Sequence, residues 1–286
     1  MSQPILQTLA DALSVGGLYA LTALGIGLIF GIMRLINFAH GELIAIAGYT
    51  LLALFGMPPA AAIVAAAAAA MLLALVTERL AFRPLRGADP ATLLIASFAV
   101  SFFLQKTLIL FVGARPKGID FLPLLGRQVD ALGVRLRSLE IVAIAVSAIL
   151  LAGLSWFLKA TRFGLEMRAA AEDFTMARVL GVRANRVIAT AFAISGLLAA
   201  TVSCLVVAET GVVQPRMGLQ LTIIAFVGTV IGGLGSLAGA ATILLQALLP
   251  PDLRAFREAF LFLAVTLALL FRPRGLIPAH GLRERI

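Results

Sequence analysis

The chain has 286 residues, of which 61% are hydrophobic and 13% charged, with a mean hydropathy of +1.06; this excludes a soluble globular domain and indicates a polytopic membrane protein. Its net charge of +9 sits in arginines clustered between apolar runs, so topology accounts for it and no nucleic-acid partner is expected. The single cysteine, Cys204, lies in an apolar run and excludes an intrachain disulfide or a cysteine-rich metal site.

The first eleven residues hold Asp11 and no Lys or Arg, unlike the basic start of a cleaved signal peptide. The run at 8–33 is therefore expected to remain as a membrane segment. Further runs able to cross about 30 Å of hydrocarbon lie at 60–82, 91–113, 139–158, 187–208 and 256–271. Region 38–56 reads as a segment interrupted at Gly48. Region 219–250 is too long for one helix and reads as two short segments broken at Gly232, Gly233 and Gly235. The fold class is all-α: a polytopic transmembrane helix bundle of about 8–10 membrane segments with broken or re-entrant helices, nine by this count.

Between the first two segments, residues 34–42 place Arg34, Asn37, His40 and Glu42 against hydrocarbon-length runs, where polar groups must face protein, water or the membrane boundary. Asn37 is a candidate cap for the helix that starts there, and Glu42 would sit near its positive end. No second His or carboxylate stands at ligand spacing, so a gate or capped re-entrant turn is expected rather than a metal site. The Gly27–Gly31 and Gly228–Gly232 spacings form an internal echo, each followed by a glycine-broken stretch that includes Ser236 in the second case. Such paired breaks point to a transport pathway at a repeat interface, here a parallel repeat.

The loop around Arg79, Arg83 and Arg86, the polar island at 159–186 and the tail with Arg272, Arg274, Arg283 and Arg285 all fall on one side by the crossing count, and their basic character makes that side cytoplasmic. The N-terminus is then outside and the C-terminus cytoplasmic. One loop runs against the charge rule, because Arg115, Lys117, Arg127, Arg135 and Arg137 are placed outside. The island itself looks folded. Thr161 can cap one helix, Asp173 a second through Phe174, Ala177 and Leu180, and Gly181 can end that helix in a left-handed conformation.

The motifs INFAHGE at 36–42, RAAAEDFTMARVLGV at 168–182, GVVQPRMG at 211–218, IGGLGSLAGA at 231–240 and LLFRPRGL at 269–276 resemble, in the same order, the permease subunits of branched-chain amino-acid ABC importers, closest in type to the H subunit. The resemblance implies a single permease domain over residues 1–286, in a bacterial inner membrane. It implies a second permease subunit, the same or different, two cytoplasmic ATPases and a periplasmic substrate-binding protein. It also implies ATP-driven alternating access for branched-chain or other hydrophobic amino acids. No GxxxxGK[ST] loop is present, so the chain is expected not to be an enzyme and to bind no cofactor, ATP and Mg belonging to the partner ATPases.

On the same resemblance the island becomes an ATPase-coupling loop, with Lys159, Thr161, Gly164, Arg168, Asp173, Ala177, Gly181 and Val182 as candidate residues. There Gly164 and Gly181 would set the turns, and Arg168 and Asp173 would make polar contacts. Asn37, His40, Glu42, Phe226, Gly232, Gly233 and Ser236 are the candidate pathway or gate residues. The chain departs from the family pattern at Ile224, where members commonly carry Lys, and at Ala238, where Pro is frequent. Permeases for urea or short amides share the INxAHGE signature and are the alternative within the class. A stand-alone ion-coupled carrier is the alternative outside it, but the deep segments at 187–208 and 219–250 carry no ionisable group except Glu209 at an end, and Lys106 lies late in its span.

Overall fold

The computed structural model describes residues 2–33, 35–126, 128–131 and 134–232. Among them, five helices are long and apolar enough to cross a membrane: Leu13–Met33, Pro59–Phe82, Pro90–Val112, Ser138–Ala160 and Ala184–Thr210. These match the runs expected at 8–33, 60–82, 91–113, 139–158 and 187–208, while the run at 256–271 lies outside the described residues. The protein is thus a multi-pass membrane helix bundle. In chain order the elements are α1 (Ser2–Met33), α2 (His40–Ala53), α3 (Pro59–Thr77) with a π-helical extension Glu78–Phe82, α4 (Pro90–Val112) and α5 (Ser138–Ala160). There follow α6 (Arg162–Glu172), α7 (Phe174–Val179), α8 (Ala184–Thr210) and α9 (Met217–Gly232).

Local chemistry sets the ends of these helices. Pro59 and Pro90 occupy first-turn positions, where a missing N–H costs nothing. Gly113 and Gly211 stop α4 and α8 at φ values of 90° and 64°, which a side chain would resist.

Helix α8 is the centre of the bundle and packs on α1, α2 and α3. The α3 face turned toward the core is a row of alanines, Ala62, Ala66, Ala70 and Ala74, spaced one per turn and fully buried. Opposite them Gly196 of α8 lies so close that an added Cβ would stand 2.8 Å from the Ala70 carbonyl oxygen. Hydrocarbon gives apolar side chains no reason to prefer one another, so close backbone approach and dispersion hold this pair. The large side chains of α3 and α4, such as Val64, Leu72, Phe102 and Phe103, point outward.

The two ends of the bundle are tied differently. At one end Arg86, just past α3, hydrogen-bonds both the Glu78 carboxylate and the Asn185 side-chain oxygen at the start of α8. At the other, strand Lys117–Gly118 pairs antiparallel with Val212–Val213, and the Ile119 N–H donates to the Gly211 carbonyl at 2.8 Å. Arg115 and Lys117 therefore lie at the end opposite Arg86 and the island, as the crossing count requires.

Helices α2 and α9 are the broken ones. At 14 residues, α2 extends only about 21 Å, less than the hydrocarbon thickness. It does not begin at the membrane boundary: after α1 the chain turns back, so that His40 lies against Gly25 of α1 and Ser195 of α8, both well inside their helices. Helix α9 also starts within the bundle, with Met217 beside Gly48 and Gly218 backbone to backbone with Gly41. Gly48 does not interrupt α2, as its sequence position had indicated. Instead its missing side chain makes room for Met217 and Ser203.

The Gly27–Gly31 spacing makes no packing contact within the described chain, since a Cβ at either position would meet nothing within 4 Å. The glycines that pack α9 against its neighbour are Gly218 and Gly41. Gly218→Ala is expected to destabilise the protein by about 1–3 kcal/mol because backbone, rather than a movable side chain, meets the new methyl. Gly27→Ala is expected to be neutral, and thermal unfolding of the two variants in detergent compares them directly.

Candidate functional site

Two groups of residues stand out: a buried polar layer at the start of α2, and the folded island at 159–186. In the first, the Asn37 side-chain oxygen accepts a hydrogen bond from the Ala39 N–H at 3.1 Å. This bond bends the chain before the helix, so Ala39 becomes the N-cap and no side chain caps α2. The expected Asn37 cap is thus a turn two residues earlier. Asparagine satisfies its own neighbouring backbone as readily as a helix end, and position in the turn decides which.

His40 is fully buried, with Nδ1 2.9 Å from the Ser195 hydroxyl and Nε2 without a partner among the described residues. The floor beneath its ring is Gly25, where any side chain would collide with the imidazole. Glu42 is 3% exposed and occupies the first turn of α2, favourable for a carboxylate. One of its oxygens accepts from the Ser101 hydroxyl of α4 at 3.1 Å, while the other has no partner among the described residues.

Three aromatic rings close over this layer. Phe38 stacks on Phe98 of α4 with centroids 4.1 Å apart and planes at 17°, and Phe226 of α9 meets Phe38 at 5.6 Å. The structure therefore brings Asn37, His40, Glu42 and Phe226 to one place, where α1, α2, α4, α8 and α9 converge. Gly232 ends the described part of α9, and Gly233 and Ser236 lie outside the described residues. Phe98, Ser101 and Ser195 were not singled out in the sequence. A signal existed for Ser101, because Ser97, Ser101 and Gln105 are spaced one per turn and form a buried polar row on α4.

The island is two capped helices, and its caps fall where the residue types indicate. The Thr161 hydroxyl accepts from the Gly164 N–H at 3.0 Å, and the Asp173 carboxylate from the Met176 N–H at 2.9 Å. Gly181, at φ 90°, closes α7 with Val182 N–H to Ala177 carbonyl and Gly181 N–H to Arg178 carbonyl bonds. Gly164 sets no turn. It lies inside α6, buried against the backbone of Phe157 and Leu158, where a Cβ would clash.

Ala177 is buried as well, so Gly164 and Ala177 hold the island to itself and to the bundle. Lys159, Arg168, Asp173 and Gly181 are exposed, and Thr161 and Val182 are half-buried. The island also exposes large apolar side chains: Met176 and Val179 on α7 and Leu180 just past it, the last two 77% and 80% exposed, and Phe163 and Leu165 on α6.

With this geometry in hand, a family profile described as the permease component of branched-chain amino acid transport systems matches residues 8–275. The permease protein BraD of the high-affinity branched-chain amino acid transport system of Pseudomonas aeruginosa is 36% identical over 296 aligned residues, covering 95% of each chain. LivH of Escherichia coli K12, a permease protein of the same kind of system, is 31% identical over the same coverage. A partial match, 34% over 165 residues and 54% of this chain, is to LsrC, the autoinducer 2 import system permease protein of Klebsiella pneumoniae.

Ser195→Ala is expected to leave a buried imidazole nitrogen of His40 without its partner and to cost about 1–3 kcal/mol. Thr201→Ala on the same helix, whose exposed hydroxyl bonds only its own helix backbone at Leu197, serves as the neutral control in the same unfolding measurement.

Proposed function

Because the chain belongs to the family of branched-chain amino acid transport permeases, we propose that it is the inner-membrane permease subunit of an ABC importer for branched-chain or other hydrophobic amino acids. Energy enters from outside this chain. Two cytoplasmic ATPases bind ATP and Mg and dock on the island, a second permease subunit completes the pathway, and a periplasmic protein delivers the substrate. In this reading the island end of the bundle is cytoplasmic and the strand-paired end is periplasmic.

One observation carries the docking: Met176, Val179 and Leu180 are solvent-exposed apolar residues on a helix whose every end is capped. A loop needing only solubility would carry polar residues there, whereas a buried apolar anchor on a rigid element is what a protein interface uses. Arg168 and Asp173 then stand beside the anchor, with Asp173 already engaged as a cap. ATP binding can change the permease only through contacts that differ between its two states, so the island must stay gripped while the ATPases close.

The cargo crosses by alternating access, and the polar layer of Asn37, His40 and Glu42 under Phe38, Phe98 and Phe226 is the constriction it passes. In proteoliposomes holding the complete transporter, Leu180→Asp is expected to cut ATP-driven leucine uptake about tenfold or more, as loss of roughly 1.4 kcal/mol of docking would. Stimulation of ATP hydrolysis by the loaded binding protein should fall with it. Gly181→Pro, which removes the φ 90° closure of α7, is expected to do the same. Normal uptake by both variants would overturn the docking assignment.

A further inference from the structure

Helix α4 leans on α2 and on the π-helical extension Glu78–Phe82, and between it and α3 the bundle is left half-open by an apolar cavity of about 530 Å³. Helix α2 forms the floor through Ile46, Thr50 and Leu54, with Leu73 of α3 on one side and Leu104 and Leu108 of α4 on the other. The surface offered to an occupant is hydrocarbon. The Thr50 and Thr107 hydroxyls are spent on their own helix backbones, and the unpartnered Glu42 oxygen and Tyr49 hydroxyl are buried with no surface open to the cavity. A charged or zwitterionic occupant would find no partner here, whereas an apolar one loses nothing on entering.

Dimensions narrow the choice. Along α2 the lining runs from Glu42 to Leu54, a rise of about 18 Å, close to half of the 30 Å hydrocarbon layer. It ends at Leu54 and Val112, at the strand-paired end of the bundle, and so spans one leaflet. A protein helix, about 10 Å across, would need more than twice the cavity's volume over that length, whereas a single acyl chain is slim enough to enter. The mouth is charged. Gly113 ends α4 directly after Val112, and Arg115 and Lys117 follow, both exposed and neither in an ion pair among the described residues. Three residues of chain reach at most about 10 Å, which keeps Arg115 close to Val112. The pairing of Lys117–Gly118 with Val212–Val213 holds the segment at the headgroup level, with Asp120 the only acid between positions 113 and 123. Arg115 and Lys117 are among the basic residues that ran against the charge rule, and a lipid phosphate at the membrane surface is the anion within their reach.

We propose that the cavity between α2, α3 and α4 is a phospholipid site, with one acyl chain lying along Ile46, Leu73 and Leu104 and the phosphate resting on Arg115 and Lys117. The lipid closes the gap on the α3 side of α4 and braces α2, the helix that carries His40 and Glu42. The site needs the bundle and its depth in the membrane, and it stands apart from the importer assignment.

For the test, the protein and its co-purifying subunits, in phosphatidylcholine nanodiscs, receive phosphatidylglycerol that carries a photoreactive diazirine midway along one acyl chain. Cross-links mapped by peptide mass spectrometry are expected to concentrate on 46–54 and 104–112 and to saturate. Unlabelled phosphatidylglycerol should chase them about tenfold or more effectively than diacylglycerol, which lacks the phosphate. Arg115→Gln combined with Lys117→Gln should abolish that difference. Ile46→Trp, which fills the cavity, should remove the saturable labelling of 104–112, while Ile46→Val should retain it. Labelling of α5 around the exposed Ile149 gives the level of unselective lipid contact.

Labelling of 104–112 no higher than that of the α5 surface, equal chase by diacylglycerol, or a Leu104→Cys variant that cross-links to another subunit in place of lipid would each overturn the site. If Ile46→Trp does not fold, the chase series on the wild type and on the Arg115→Gln, Lys117→Gln variant, which changes only exposed side chains, still decides.

Discussion

The backbone of Gly41 lies directly on that of Gly218, and the interior of this protein is arranged around that contact. Each glycine is the second residue of a helix that starts inside the bundle, so two chain reversals meet at one depth. A helix start exposes N–H groups that hydrocarbon cannot satisfy, and such a start is tolerable only when enclosed by protein. Two helix starts can enclose each other only if their backbones touch. With a side chain at either position α2 and α9 would separate, and with them Phe38 and Phe226.

Around this centre the packing follows the rules of a solvent that does not drive apolar groups together. The closest approaches occur where side chains are smallest: the alanine row of α3 on Gly196, Gly17 on Ser147, and Gly48 on Ser203 and Met217. Hydroxyls are the second adhesive. Ser101 and Ser195 each reach across to a residue of α2, and these bonds orient Glu42 and His40. The large residues of α3 and α4 are left for the outside, so hydrophobicity reports which segments cross but size reports which face is inside.

That division explains what the sequence made legible. Membrane spans depend on length and hydropathy within one segment, and those at 60–82, 91–113, 139–158 and 187–208 all lie within three residues of their helix ends. The island was legible for a related reason, since Thr161, Asp173 and Gly181 act on atoms at most a few residues away. Contacts that depend on the register between distant segments were not legible. Gly48 looked like a break because glycine weakens a helix, yet here it admits Met217 from 169 positions further along. Gly27 and Gly31 looked like a packing seam and touch nothing within the described chain, whereas Gly25 beside them supports His40. The partnering of Glu42 with Ser101 and of His40 with Ser195 had no local signal, because a serine in an apolar run reads the same whether it bonds a distant side chain or its own helix.

The island and the buried layer, far apart in the bundle, share two helices. Helix α6 packs on α1 and α8, and α7 packs on α8. The same α1 supplies Gly25 beneath the His40 ring, and the same α8 supplies Ser195 to its Nδ1. Ser195 follows the fully buried Val187 and Ile188 of α8 by about two turns. A displacement of the island therefore meets no flexible linker before it reaches the start of α2, since both routes run through continuous helix. Helix α2 is too short to be anchored at both membrane boundaries; it packs on α3, α8 and α9 and is joined to α8 and α4 by the hydrogen bonds of His40 and Glu42. The caps at Thr161 and Asp173 stiffen α6 and α7 at one end of this path, and at the other α2 begins at Ala39 with no side-chain cap.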